Sequence, residues 1–186
     1  DELLLGETVD GNAAWLGRRL AADGIRVARR ATVGDDAVAI RTAVSEALAR
    51  TGTVICTGGL GPTPDDLTKA VVAELFGRSL VLDTEMLARL EARFRERGLE
   101  MSPSNRSQAE VPERAVVLPN RLGTAPGLAL EDASGRIAIL LPGVPREMRA
   151  LVEEQVLPYL AARWPTRPRP VRWRTLRTTG VAESTL

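Results

Sequence analysis

Thr53-Val54-Ile55-Cys56-Thr57-Gly58-Gly59-Leu60-Gly61-Pro62-Thr63-Pro64-Asp65-Asp66-Leu67-Thr68 is the stretch whose reading decides the fold. A short apolar run breaks into glycines and prolines. A helical pattern from about Leu67 to Phe76, closed by Gly77, follows it. This is a strand–turn–helix unit. Glycines directly after a buried strand let backbone N–H groups approach an anion, and the helix start beyond favours negative charge. The turn is not a Walker A loop, because no Gly-Lys-Ser/Thr ends it. Pro64 also stands where a dinucleotide fingerprint needs its third glycine. Taken alone, Gly58 to Gly61 reads either as a plain tight turn or as an anion cradle.

Working outward, the same alternation recurs. Asp1 to Gly6 reads as the end of a strand entering a loop, with the strand itself missing. Asn12 is placed to cap a helix carrying Leu16 and Leu20 and stopped by Gly24. Ile25 to Val33 reads as a strand, and a helix from about Asp36 to Arg50 repeats Ile40, Val44, Ala47 and Leu48 on one face. Asp83 or Thr84 caps a longer helix with Leu87, Leu90 and Phe94 inward; its Arg89, Arg93, Arg95 and Arg97 read as a solvated face. Met101 to Pro112 reads as a polar loop. Strands are expected at 115–118, 128–131 and 137–141, with a turn at Asp132 to Gly135 and a closing helix over about 146–163. Strands alternating with helices predict an α/β fold whose mostly parallel sheet is covered on both faces. Ligands of such sheets sit beyond the carboxyl ends of the strands. Pro168 and Pro170 mark a linker. Residues 1–165 are therefore expected to form one domain, and 166–186 a linker plus the first strand of a truncated following domain.

Composition narrows the chemistry. With 25 basic and 24 acidic residues the net charge is +1, which argues against nucleic acid as a partner. No apolar run approaches the roughly 18 residues of a membrane span, and a single Cys56 forms no internal disulfide, so a soluble cytoplasmic protein is expected. Histidine is absent, which removes Ser-His-Asp and Cys-His catalysis and every His-ligated metal site. Acid–base or metal work then falls to carboxylates, hydroxyls, Lys69 or arginines. Of Asp65 and Asp66, one serves as a helix cap and the other is available to a divalent cation beside a phosphate. Asp35-Asp36 and Asp1-Glu2 place further acids on the same edge.

Seven motifs come in a recognisable order: Asp1 to Gly6; Val9-Asp10-Gly11-Asn12-Ala13; Val33-Gly34-Asp35-Asp36; Thr57 to Thr68; Gly123-Thr124-Ala125-Pro126-Gly127; Leu141-Pro142-Gly143-Val144-Pro145; and Thr179 to Ser184. Over essentially its whole length the chain resembles the CinA, or competence/damage-inducible protein, family. The resemblance implies a molybdopterin-binding-like domain of the MogA, MoaB and MoeA type, with a three-layer α/β/α fold. It places the catalytic acids on Asp66, Asp35 and Glu2, with Asp66 and Asp35 holding a divalent metal, Mg²⁺ or another. Substrate and phosphate contacts fall on Asn12, Thr57, Gly58, Gly59, Gly61, Thr124, Pro142 and Gly143. Two departures from the family pattern stand out: Gly11 replaces the usual threonine, and the strand leading into Glu2 is lacking.

The function that the resemblance implies is metal-dependent hydrolysis of a nucleotide diphosphate, ADP-ribose, by a homodimer. Two alternatives use the same edge or none of it. One is the binding of molybdopterin or its adenylylated form, against which Leu60 argues because molybdopterin proteins tend to have threonine there. The other is a non-catalytic dimerising module, suggested by a strand after Pro170 that needs partners.

Overall fold

A computed structural model describes residues 3–166 and, beyond them, Pro170, Thr179, Gly180 and Ser184. Glu2 and most of the expected linker and terminal strand lie outside the described residues. The elements run α1 (Gly11–Ala22), α2 (Ala37–Thr51), β1 (Thr53–Thr57), α3 (Thr68–Leu75), β2 (Leu80–Leu82), α4 (Thr84–Glu96), a 3-10 helix (Pro103–Ala109), β3 (Glu110–Pro112), β4 (Val116–Leu118), β5 (Gly127–Glu131), β6 (Ile137–Leu141), α5 (Pro145–Leu151), a π turn (Val152–Val156) and α6 (Leu157–Arg163).

Four strands form one sheet in the order β1-β6-β5-β4. β6 is its most buried member, every residue from Ile137 to Leu141 being buried. Its alternating side chains feed two cores. Ile137, Ile139 and Leu141 join Leu16 and Leu20 of α1 and Met148, Leu151 and Leu160 of α5 and α6. Ala138 and Leu140 join Ile40, Val44 and Leu48 of α2 and Val71 and Val72 of α3. A continuous apolar run is what a strand covered on both faces requires. The result is three layers, helix–sheet–helix, as the α/β reading expects.

Within those layers the sheet is mixed. β1 and β6 are parallel, whereas β5 pairs antiparallel with both β6 and β4. The tight turn at Asp132 dictates this, since so short a connection reverses the chain. Ile25 to Val33 forms no strand: it is largely exposed and joins no ladder among the described residues. A strand needs a hydrogen-bonded neighbouring strand, and this segment has none among the described residues. A groove of about 350 Å³ separates residues 27–30 from Ala13, Ala14 and Gly17 of α1.

Three other expectations change. Asp10, not Asn12, caps α1, accepting from the Ala13 amide at 2.8 Å. Met101 to Pro112 is not a loop throughout but a 3-10 helix followed by β3, which pairs with β2 some thirty residues earlier. The closing helix is interrupted by the π turn. Pro158 explains it, because a ring without an N–H cannot close the regular bond to the Glu154 carbonyl. Asp36 and Asp83 do cap α2 and α4, accepting from Ala39 and Met86. No helix among the described residues is long and apolar enough to cross a membrane.

The β5–β6 turn supplies a pH test. Asp132 accepts from the Ser134 hydroxyl at 2.7 Å, from the amides of Ser134 and Arg136, and from the Arg136 guanidinium at 2.7 Å. The Ser134 hydroxyl, helped by Arg136, holds this carboxyl well below the usual range. A depressed folded value means that the contribution is complete above the ordinary aspartate value of about 3.9 and fades as pH falls through the folded value. Asp132→Asn should therefore melt below the parent at neutral pH, and melting curves should show the gap closing as the solution is acidified below about pH 4.

Candidate functional site

Parallel pairing of β1 with β6 sets Thr57 opposite Leu141, so the two turns that follow these strands leave side by side. The Gly58 N–H donates to the Leu141 carbonyl at 2.9 Å. A Cβ built on Gly143 would lie only 3.5 Å from the Gly58 Cα. β5 starts at the same edge, Leu128 facing Leu140, which brings the 119–126 turn alongside. The start of α1 closes the group: the Asn12 amide Nδ2 donates to the Gly143 carbonyl at 2.7 Å. Thus Asn12, Thr57, Gly58, Gly59, Pro142, Gly143 and the turn bearing Thr124 share one edge of the sheet.

The glycine turn is built by its own chemistry. Gly58 and Gly59 have φ of +94° and +69°, which side chains other than glycine rarely adopt. Gly59 has no room for a Cβ either, because the Thr68 side chain at the start of α3 lies against it. Gly61 is required for a different reason: a Cβ there would come 2.5 Å from the Asp66 carboxylate. Two of the three glycine amides are already committed, Gly58 to Leu141 and Gly61 to Asp66.

Asp66 is therefore not simply a cap or a loose ligand. Its Oδ2 accepts from the Thr63 amide at 2.9 Å and the Thr63 hydroxyl at 2.6 Å, folding the turn back on itself. Partial burial alone would push the carboxyl up. The Thr63 hydroxyl, the amides of Thr63 and Gly61 and the Lys69 charge outweigh that, leaving it below its ordinary value and ionised. No side chain of Asp66 caps α3, which starts from Leu67 without one.

Lys69 was only a remaining option in the sequence, yet it is the one lysine among 25 basic residues. It is 8% exposed, and its ammonium Nζ donates to the Ser107 carbonyl at 2.5 Å, pinning the 3-10 helix to α3. Burial pulls its pKa down, while Glu110 and Asp66 oppose the shift. Cys56, whose thiol desolvation pushes up to about 12, packs against the second core and is no nucleophile.

Asp35 stands exposed at the start of α2, beside the capping Asp36. Gly52 turns α2 directly back into β1, so this end of the helix lies towards the glycine-turn edge. Among the described residues no three Asp, Glu, Cys or His side chains gather to hold a metal between them. The donors present suit a different arrangement. Mg²⁺ is commonly held by one or two carboxylates and completed by substrate phosphates and water; an ionised Asp66 with Oδ2 occupied and Oδ1 outside those Thr63 bonds fits that role.

Two residues escaped the sequence reading. Arg93 is not a solvated side chain: its guanidinium donates to the carbonyls of Gly123 at 2.5 Å and Arg121 at 3.2 Å. Glu147, in the first turn of α5, accepts from the Asn120 amide at 2.7 Å. Neither carries a sequence signal, since each partner is 27 or more residues away.

Comparison with known proteins bears on the family and the fold. The family described as "Probable molybdopterin binding domain" matches residues 1–162. A CinA-like protein of Gemmatimonas aurantiaca is 56% identical over 187 residues, covering all of this chain and 44% of that protein; the chain spans less than half the length of this relative. The solved structure of CinA from Thermoplasma acidophilum superposes with a TM-score of 0.77 at 36% identity, covering 85% of this chain and 92% of that one. MoaB from Thermus thermophilus, titled a molybdopterin biosynthesis enzyme, shares the fold with a TM-score of 0.56 at 22% identity, covering 88% and 87%.

The turn's construction is testable without any ligand. Gly59→Ala meets both a positive φ and the Thr68 side chain, whereas Gly135→Ala has a similar φ of +79° and open space around it. Denaturant titration should show Gly59→Ala costing about 2 kcal/mol more than Gly135→Ala; equal costs would mean that the Thr68 contact is not there.

Proposed function

Because this chain belongs to the CinA family and carries its molybdopterin-binding-like domain, we propose that its sheet-edge site hydrolyses a nucleotide diphosphate, ADP-ribose being the substrate. The observation that carries the reading is the meeting of the glycine turn, the Pro142–Gly143 turn and Asn12 beside an ionised Asp66.

With the Gly58 and Gly61 amides committed inside the protein, phosphate binding falls to the Gly59 and Leu60 amides, which follow Thr57 out of the strand. Backbone donors fixed by the sheet need no rearrangement to meet charge developing on phosphate oxygens. Asp66, with Asp35, would hold a divalent cation, which when bound neutralises phosphate oxygens and activates water. Thr63 keeps the Asp66 carboxylate oriented and ionised for that purpose.

Asn12 has a more specific part than phosphate contact. Its Nδ2 faces the Gly143 carbonyl, which fixes the amide's orientation. Its Oδ1 is buried with no partner, and an acceptor left so costs roughly 1–3 kcal/mol. A ribosyl hydroxyl is a donor that would satisfy it; a phosphate oxygen is not. This favours a nucleotide over a simple phosphate.

A second reading, the holding of molybdopterin, is favoured by the family's own description. Leu60 does not decide against it, because the Leu60 side chain is buried in the second core and answers to packing, not to ligand. We carry the homodimer as part of the proposal, with light scattering as its check.

Release of AMP from ADP-ribose, assayed with and without Mg²⁺, separates the readings. Asp66→Asn is the informative variant, since an asparagine oxygen still accepts from Thr63 while the charge is gone. Metal-dependent turnover should fall at least about 100-fold with the melting temperature nearly unchanged. Full activity in that variant would remove Asp66 from the chemistry, and a parent inert towards ADP-ribose that binds molybdopterin would favour the second reading.

A further inference from the structure

We propose that Glu147 is a positioning residue of this site: through Asn120 its carboxylate locks the 119–126 turn to the Pro142–Val144 turn, so that Thr124 and Gly143 meet one ligand together. The proposal rests on the hydrolase reading for its ligand, but its structural basis is independent of it.

Asn120 is the centre of the lock. Its Nδ2 donates to the Ala125 carbonyl at 2.8 Å and to Glu147 Oε2 at 2.7 Å, and its Oδ1 accepts from the Leu122 and Gly123 amides at 3.0 and 2.9 Å. All four bonding positions of the amide are thereby used. Three of its four partners belong to the turn itself, so the turn can form only with Asn120 inside it. Glu147 is the group that ties this folded turn to another element.

The packing shows that Glu147 is built in and not merely nearby. Gly123 lies over its carboxylate so closely that a Cβ on Gly123 would overlap it. From the opposite side Arg93 of α4 donates to the carbonyls of Gly123, Arg121 and Asn120. A negative group from α5 and a positive group from α4 thus clamp one turn between them, and Arg121 adds an ion pair with Glu154 of the π turn. An acid in a first helical turn that served only the helix dipole would need none of these partners.

Glu147 follows the Pro142–Val144 turn by three residues; the Gly143 carbonyl of that turn receives Asn12, and the Leu141 carbonyl just before it receives the Gly58 N–H. Fixing the 119–126 turn to α5 therefore fixes it relative to the glycine turn as well. Loss of the lock should loosen ligand binding equally in ground and transition states, which raises KM and spares kcat.

In the whole protein, Glu147→Ala should raise KM for ADP-ribose about tenfold with kcat changed less than about twofold, as expected for one lost charge-assisted contact. Glu147→Gln, whose Oε1 still accepts from Asn120, should recover most of that loss. Asn120→Ser, which also removes the turn's own bonds, should raise KM at least as much as Glu147→Ala, and adding Glu147→Ala to it should raise KM no further, since the carboxylate then has no amide to hold. A kcat loss shared by the alanine and glutamine variants, with a changed pH profile, would overturn the proposal by making Glu147 a chemical participant; an unchanged KM in Glu147→Ala would overturn it by making the link idle. Hydrogen exchange at the Leu122 and Gly123 amides supplies the arm that needs no substrate. Exchange should quicken in Glu147→Ala, or in Glu147→Asp, whose shorter side chain falls short of Asn120, if the alanine variant fails to fold, and stay slow in Glu147→Gln. Unaltered protection sinks the positioning role, whereas a parent inert towards ADP-ribose sinks only the hydrolase reading.

Discussion

A single backbone hydrogen bond, Gly58 N–H to the Leu141 carbonyl at 2.9 Å, sits where β1 and β6 stop being strands and become two turns. Everything proposed for the site follows from that junction. It continues the parallel ladder one step past Thr57 and so holds the glycine turn against Pro142–Gly143. Gly58 then takes a positive φ as it leaves the sheet, and Gly143 lies next to it across the junction. The deep burial of β6 in two cores makes the junction rigid. A site assembled from backbone at the end of such a strand inherits its precision from the core and not from the turns.

Much of the fold was legible because it is local. The β1–turn–α3 unit, the Asp36 and Asp83 caps and the Asp132 turn each depend on residues within a few positions of one another, where spacing and residue type carry the information. The β2–β3 pair and Glu147 are not local. Three-residue strands thirty positions apart leave no periodicity, and an acid in a helix's first turn looks the same whether it serves the helix or a distant asparagine. Asn12 resembles a cap for a related reason. Asp10 and Asn12 are both capping residues by type, and only the tertiary bond to Gly143 shows which one the helix keeps.

The candidate acids illustrate the same division. Asp66 was singled out by its place after a glycine turn, and its position there is now explained by Thr63 and Gly61. The end of α2 that carries Asp35 lies towards the same edge only through topology, by α2 running back into β1, which neither residue reveals. Glu2 lies outside the described residues. Arg93 shows the reverse error: an arginine among glutamates on a helix suggests solvent, yet its guanidinium spends itself on the carbonyls of a turn that only tertiary packing brings near.

The absence of histidine reaches further than catalysis. Histidine is the side chain that ordinarily titrates between about pH 5 and 8, and burial has moved the Cys56 thiol to about 12. The positive surface is almost wholly guanidinium, which does not release its proton in proteins. Lys69 is the one base pulled towards neutrality, and it is walled in. With no imidazole to protonate and the thiol pushed out of range, the familiar routes by which a protein's charge follows acidity near neutrality narrow to one walled-in ammonium. A change of rate there would point to that ammonium or to the bound molecule itself.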